Sequence, residues 1–175
     1  MNWVFARPEE RKACRIVSKC GGFCTFSGPI PFVSRVRALW VRGTPVTDDD
    51  ISSLGPLPEL NGAELGYSGL TDRGAASLLN YPSLKFVFLW GSKITDETVS
   101  VLVQMALLRL VNVSETGVTR RGFDELKQAL PNCLVSHSEF GRFFRGTAAP
   151  FASDAYSAWT SSTAESDSES PRPLD

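Results

Sequence analysis

The sequence predicts an α/β solenoid in which four units of about 24 residues stack on one another. Three observations favour this fold class. A Thr-Asp phrase starts at positions 46, 70 and 94, in "VTDDDISSL", "LTDRGAASL" and "ITDETVSVL", so its spacing is fixed at 24. Apolar residues stay in register across residues 36–132, and their period changes from that of a strand to that of a helix within each unit. Such units are stable only when neighbours bury their apolar sides.

Each unit begins with a predicted strand. Apolar residues occupy its first, fourth and sixth positions, and the fourth and sixth alternate with varied residues, which is typical of a strand with one buried face. The predicted strands lie near residues 39–41, 63–65, 87–89 and 111–113. We expect them to be parallel, with one strand in each unit.

A short helix follows each strand. Apolar residues three apart mark the buried side of each helix. A threonine before each helix is a candidate N-cap: Thr47, Thr71, Thr95 and Thr119. In the first three units an aspartate follows the threonine, and its negative charge complements the helix dipole: Asp48, Asp72 and Asp96. A glycine completes the phrase only at Gly74 and Gly122, which predicts different local turns at Asp50 and Thr98.

Both ends of the stack carry predicted caps. The N-terminal cap, residues 8–35, contains a helix that stops at Gly21 and an edge strand, "FCTF". The C-terminal cap, residues 133–145, contains the edge strand "CLVSH". The predicted domain therefore spans residues 1–145, with the units at 36–132. Residues 146–175 are rich in Ser, Thr and acids without an apolar period, which predicts a disordered acidic tail.

The units resemble leucine-rich repeats, most closely the bacterial pattern L-x-x-L-x-L-x-x-T-x-V-T-D-x-G-L-x-x-L. "SKCGGFCTF" resembles the usual opening of such arrays, and "ALPNCLV" resembles their usual close. The resemblance covers roughly residues 9–140. It implies a leucine-rich repeat solenoid with parallel strands on the concave face and short helices on the convex face. It implies little about biological role, because one fold serves many functions.

Composition and motifs argue against several classes of function. The net charge is −1 and there is no basic stripe with interleaved aromatics, which argues against nucleic-acid binding. No leader and no run of about 18 apolar residues is present, so we expect a cytoplasmic protein without a membrane partner. The sole histidine, His137, has no partner motif for catalysis. We therefore expect no enzymatic activity and no cofactor or metal, since C-x-x-C spacing is absent among Cys14, Cys20, Cys24 and Cys133.

The outward positions of the strands supply the candidate binding surface. Four large aromatic residues are expected to stand in water on the concave face, edged by one basic and one acidic residue: Trp40, Arg42, Glu64, Phe86, Phe88 and Trp90. Gly62 and Gly66 lower the strand between the aromatics, which predicts a shallow slot. Contiguous exposed apolar surface marks interaction sites, and Trp and Arg are frequent at binding hot spots. The sequence therefore predicts a non-enzymatic module that binds another protein or peptide.

Alternatives exist for both the surface and the function. The tail, or "FGRFF" at 140–144, could instead cover the aromatic residues. The resemblance also implies a substrate-selecting adaptor of a ubiquitin-ligase type, since some eukaryotic repeat proteins with a similar phrase have that role. A regulatory fragment of a larger protein is the remaining alternative.

Overall fold

Six strands among the described residues form one sheet, and their order in space follows their order in the chain. The computed structural model describes residues 7–8, 10–27, 35–41, 43 and 45–141, so the predicted tail lies outside them. The strands are β1 (Phe23–Phe26), β2 (Val36–Trp40), β3 (Gly62–Glu64), β4 (Phe86–Phe88), β5 (Leu110–Asn112) and β6 (Leu134–Ser136). β1 is antiparallel to β2, and all later neighbours are parallel. The three strands predicted at 63–65, 87–89 and 111–113 each lie one residue earlier.

Helices connect the parallel strands, as the crossovers of a parallel sheet require. In the described part of the chain these are α2 (Asp48–Ser52), α3 (Asp72–Ala76), α4 (Asp96–Leu102) and α5 (Arg120–Ala129), whereas α1 (Arg11–Lys19) precedes β1. A 3-10 helix, Ser77–Asn80, continues α3. The chain is therefore an α/β protein, and the predicted alternation of strand and short helix is confirmed.

The register of the sheet places one face of every strand on the core. The core face is the row of register partners Leu39, Ala63, Val87, Val111 and Val135, and each of these is at most 6% exposed. Side chains of α2–α5 pack against this row from the helix side: Ile51, Ala75, Val99 and Phe123. Leu89 is fully buried, as the apolar period predicted.

Each of three aspartates binds the threonine that begins the next helix. Asp48 Oδ1 accepts a hydrogen bond from the Thr71 backbone N–H at 2.8 Å, and Asp48 Oδ2 accepts one from Thr71 Oγ1 at 2.7 Å. Equivalent bonds join Asp72 to Thr95 and Asp96 to Thr119. The threonines also cap their own helices, as predicted. The Thr-Asp phrase therefore links consecutive helices, which its local spacing did not reveal.

The glycine after the phrase has a steric role. A Cβ at Gly74 or Gly122 would collide with the aspartate of the preceding helix. The expectation of different turns at Asp50 and Thr98 is wrong, because both residues lie in regular α-helices. Asp50 completes a capping box instead, and the Thr98 hydroxyl donates to Asp72 Oδ1. A larger residue is accepted here when its own polar group bonds to the neighbouring aspartate or cap.

A buried carboxylate ties the N-terminal helix to the sheet. Glu10, fully buried beside the start of α1, accepts hydrogen bonds from the Val36 backbone N–H at 2.7 Å and from Arg35 Nη1 at 2.9 Å. The chain leaves α1 at Gly21, whose φ of 80° suits glycine, and continues into β1. The predicted helix stop and the predicted edge strands β1 and β6 are confirmed.

Candidate functional site

The sheet brings most of the predicted site residues to its outer face, which is the face opposite the core. We define this face by two rows of register partners: Ala38, Gly62, Phe86, Leu110 and Leu134, and Trp40, Glu64, Phe88, Asn112 and Ser136. Trp40, Glu64 and Phe88 are thus direct neighbours, and Trp90 follows Phe88 by two positions. Arg42 lies outside the described residues.

The outer face is less accessible than the sequence predicted. Phe88 is only 8% exposed and Glu64 only 7%, while Trp40, Phe86 and Trp90 are half-buried. The expectation that four aromatic residues stand in water is therefore wrong. The outer face is instead a partly buried aromatic surface.

An aromatic pair extends the outer face toward β1. The rings of Phe23 and Trp40 are stacked, with centroids 5.5 Å apart and an angle of 12° between their planes. Phe23 is 57% exposed. Sequence reasoning missed Phe23 as a surface residue, because the antiparallel pairing of β1 that places it opposite Trp40 is not visible in the repeated units. The available signal was the position of Phe23 at the start of the predicted edge strand "FCTF".

Trp90 occupies the space that two glycines were expected to leave open. Its Nε1–H donates to Glu64 Oε1 at 2.6 Å. A Cβ on Gly66 would collide with the indole ring, so the ring lies directly over the Gly66 backbone. The Trp90 ring therefore fills the predicted slot at Gly66, because the glycine has no side chain to block it.

Tyr67 contacts this tryptophan and Glu115 contacts Tyr67, and sequence reasoning missed both. The Tyr67 ring centroid is 4.8 Å from that of Trp90, and Tyr67 is 45% exposed. Its hydroxyl donates to Glu115 Oε2 at 2.6 Å. We call Glu64, Tyr67, Trp90 and Glu115 the rim cluster, since they lie where β3, β4 and β5 end. The signal was a position repeated every 24 residues: Gly43, Tyr67, Gly91 and Glu115, all of which have positive φ.

The remaining chemically distinctive residues have structural surroundings. His137 is 3% exposed, its Nδ1 accepts the Glu139 backbone N–H at 3.1 Å, and its ring stacks on Phe140 at 4.3 Å. Cys14 is buried, and all four cysteines are free thiols. Within the described ranges, no three His, Cys, Asp or Glu residues are grouped as metal ligands. The outer face with its rim cluster is therefore the best candidate site.

Comparisons with known proteins give no functional assignment for this chain. No protein-family model matches the chain, and no curated protein matches it. None of the helices in the part of the chain that the structure describes is long and apolar enough to cross a membrane. Function must accordingly be argued from the geometry of the outer face.

Proposed function

We propose that this chain is a non-catalytic binding module of the leucine-rich repeat type, in which the outer face is the concave face of a solenoid. Its partner is another protein or a peptide. The observation that carries the proposal is the row of large side chains Trp40, Glu64 and Phe88, which the strand register sets next to one another on the face that the core does not use.

The chemistry of this face supports a binding role. The core face repeats aliphatic residues, whereas the outer face holds two tryptophans and two phenylalanines within two strands and one turn. Aromatic side chains dominate binding hot spots, because they bury a large area and lose little rotamer freedom. Trp40, Phe86 and Trp90 keep part of their surface exposed, and Phe23 enlarges the apolar area. Phe88 and Glu64 form the buried floor beneath a bound segment.

The four free thiols favour an intracellular site of action. Structural disulfides are common in secreted domains of this size, while thiols persist where glutathione keeps them reduced. In this proposal the module acts in the cytoplasm, without nucleic-acid or membrane contacts.

A pull-down with the full chain tests the proposal. Replacing Trp40 and Phe86 together by alanine should remove captured partners while the protein still folds, because both rings are half-buried on the outer face. Leu79→Ala with Leu107→Ala is the matched control, since these residues are 41% and 47% exposed and lie outside the sheet. Equal capture by the two double variants, with both melting cooperatively, would refute the proposal.

The same assay addresses the alternative that the predicted tail covers this face. A chain that ends at residue 145 should capture the same partners as the full chain if the outer face is a site for another protein. Capture of partners only after truncation would favour the alternative.

A further inference from the structure

Two of the four cysteines come together where the N-terminal helix packs on the first strand. Cys14 lies on the buried face of α1, together with Ala13 and Val17. Cys24 lies on β1, where its register partner is Leu39, a residue of the core face. Register partners place their side chains on the same face of a sheet, so Cys24 points toward the helix layer. The fold therefore sets a thiol of α1 opposite a thiol of β1.

The two thiols contact each other. A hydrogen bond joins the Cys14 and Cys24 side chains, and Cys24 packs against the core cluster that contains Cys14. The sulfurs of a disulfide are about 2.0 Å apart, so two sulfurs in hydrogen-bond contact have only a short distance to close. The other cysteines lie elsewhere, since Cys20 ends α1 as its C-cap and Cys133 precedes β6, at the opposite edge of the sheet from β1.

The hydrogen bond makes the two sulfurs chemically unequal. The Cys24 thiol donates to Cys14 and lowers the pKa of Cys14, although burial and the charge of Glu10 oppose that shift. The same hydrogen bond raises the pKa of Cys24, and burial adds to the rise. The thiolate is the nucleophilic form of cysteine. Cys14 is therefore the nucleophile of the pair, and Cys24 holds the proton that lies between them.

We propose that Cys14 and Cys24 form a redox-sensitive modification site, at which hydrogen peroxide converts the two thiols to a disulfide that fastens α1 to β1. The Cys14 thiolate attacks one peroxide oxygen, the O–O bond breaks, and the leaving hydroxide takes the Cys24 proton to become water. The Cys24 sulfur then attacks the Cys14 sulfenic acid, the S–O bond breaks, and solvent protonates the second hydroxide. The two sulfurs lose two electrons in all, and the peroxide gains them.

The surroundings of the pair favour a small oxidant and a reversible bond. Cys14 is only 3% exposed, and hydrogen peroxide is close to water in size. Cys24 is half-buried, so a cellular thiol can attack the disulfide at this sulfur and restore the reduced pair. Phe23, the neighbour of Cys24, stacks on Trp40 at the outer face. The disulfide would therefore also fix the strand that carries Phe23.

Peptide mapping of the full chain after treatment with hydrogen peroxide tests the site. Trypsin releases Cys14 in residues 13–15 and Cys24 in residues 20–35, so the expected product is these two peptides joined by a disulfide. No linked product in the folded parent would overturn the proposal. In urea, pairing of Cys20 with Cys24 should replace it, because that pair closes the shorter loop. The same products with and without urea would show that the fold creates no site.

Two serine variants identify the partners, since Cys20 and Cys24 share one tryptic peptide. Cys20→Ser is the matched control, and its folded form should still give the linked product. Cys24→Ser should not give it. Loss of the link in Cys20→Ser, or its persistence in Cys24→Ser, would overturn the assignment of the pair.

A thermal melt measures whether the bond fastens the helix to the strand. The oxidised parent should melt about 5 °C above the reduced parent, because a cross-link lowers the entropy of the unfolded chain. Dithiothreitol should remove this shift, and Cys24→Ser should show none. An oxidised parent that contains the linked peptides and melts no higher than the reduced protein would overturn the proposed role of the disulfide.

Discussion

Two sets of polar contacts in this molecule are distributed in different ways. At the starts of the helices, the bonds between Asp48 and Thr71 recur between the next two aspartates and threonines, with the same partners and nearly the same distances. In the rim cluster, the bonds of Tyr67 to Glu115 and of Trp90 to Glu64 have no counterpart at the other strand ends that the structure describes. The recurring contacts hold each helix against the next. The contacts without a counterpart differ from strand to strand, and in the proposed function that difference contributes to recognition of the partner.

The two faces of the sheet also differ in this way, since side chains of one kind recur on the core face and different side chains occupy the outer face. The core face offers aliphatic side chains at each step from Leu39 to Val135. Along the outer row, the side chain changes at each step, from tryptophan to glutamate, phenylalanine, asparagine and serine. Substitutions at recurring positions should therefore reduce stability, and substitutions at the unique positions should chiefly alter binding.

The largest expected effect is at the core face. Leu89→Asp places a carboxylate at a fully buried position without a partner, which costs several kcal/mol and is comparable to the stability of a whole domain. Leu79→Asp, at a residue that is 41% exposed, should change stability by no more than about 0.5 kcal/mol. Thermal melts of the two proteins measure the contrast. A Leu89→Asp protein that melts like the parent would show that the division between the faces is wrong.

The recurring aspartates should come next in effect. Asp72 accepts hydrogen bonds from the backbone N–H and hydroxyl groups of both Thr95 and Thr98. Removing it in Asp72→Ala leaves these donors without their acceptor and should lower the free energy of unfolding by about 2 kcal/mol. Urea denaturation measures this loss. Asp124→Ala is the control, because its ion pair with Arg120 is exposed and should contribute at most about 0.5 kcal/mol. Equal losses of unfolding free energy in Asp72→Ala and Asp124→Ala would show that the recurring contacts contribute no more than an exposed ion pair.

The recurring aspartates should also make the free energy of unfolding depend on pH. Burial alone would raise the pKa of Asp48, Asp72 and Asp96, but the hydrogen bonds from the following threonines outweigh it, so each pKa lies below its usual value of 3.8. The unfolded chain then takes up protons first as pH falls. The stabilisation should be complete above about pH 5, should decline as pH drops below the unfolded pKa, and should be lost below the lowered pKa of the folded state.

Urea midpoints at pH 7 and pH 3 measure this dependence. A triple variant with asparagine at the three positions should be less stable at pH 7 and should lose less stability between the two pH values. An identical loss in parent and variant would assign the acid sensitivity to other carboxylates.

The smallest expected effect separates backbone strain from ring packing. Gly43→Ala places a Cβ in the left-handed region with nothing within 4 Å, and should cost about 1 kcal/mol. Gly91→Ala has the same backbone cost, but its Cβ also displaces the Tyr67 ring, so it should cost more and change the near-ultraviolet circular dichroism. Equal costs and unchanged spectra would show that the Tyr67 ring is not seated on Gly91.

The sequence predicted the strands, the helices and the shared face of most site residues, because periods of two and 3.6 residues determine which side chains meet the core. Trp40, Phe86 and Phe88 were assigned to one face for that reason. Their burial was not predicted, since the period of a strand gives the face on which a side chain lies and not how accessible it is. Tyr67 and Glu115 were missed because they lie in turns, where side-chain direction follows the backbone conformation and no period indicates it. The partners of the aspartates were missed because they lie in the next helix.

The sequential order of the strands has a consequence for how the protein folds. Each pairing from β2 to β6 joins strands that are consecutive in the chain, so each closes a loop of modest length. Loop-closure entropy is then small at every step, and low contact order favours fast folding. The hydrogen bond between Tyr67 and Glu115 spans 48 residues and so requires the intervening strand first. The rim cluster should therefore be completed late, after the scaffold that presents it.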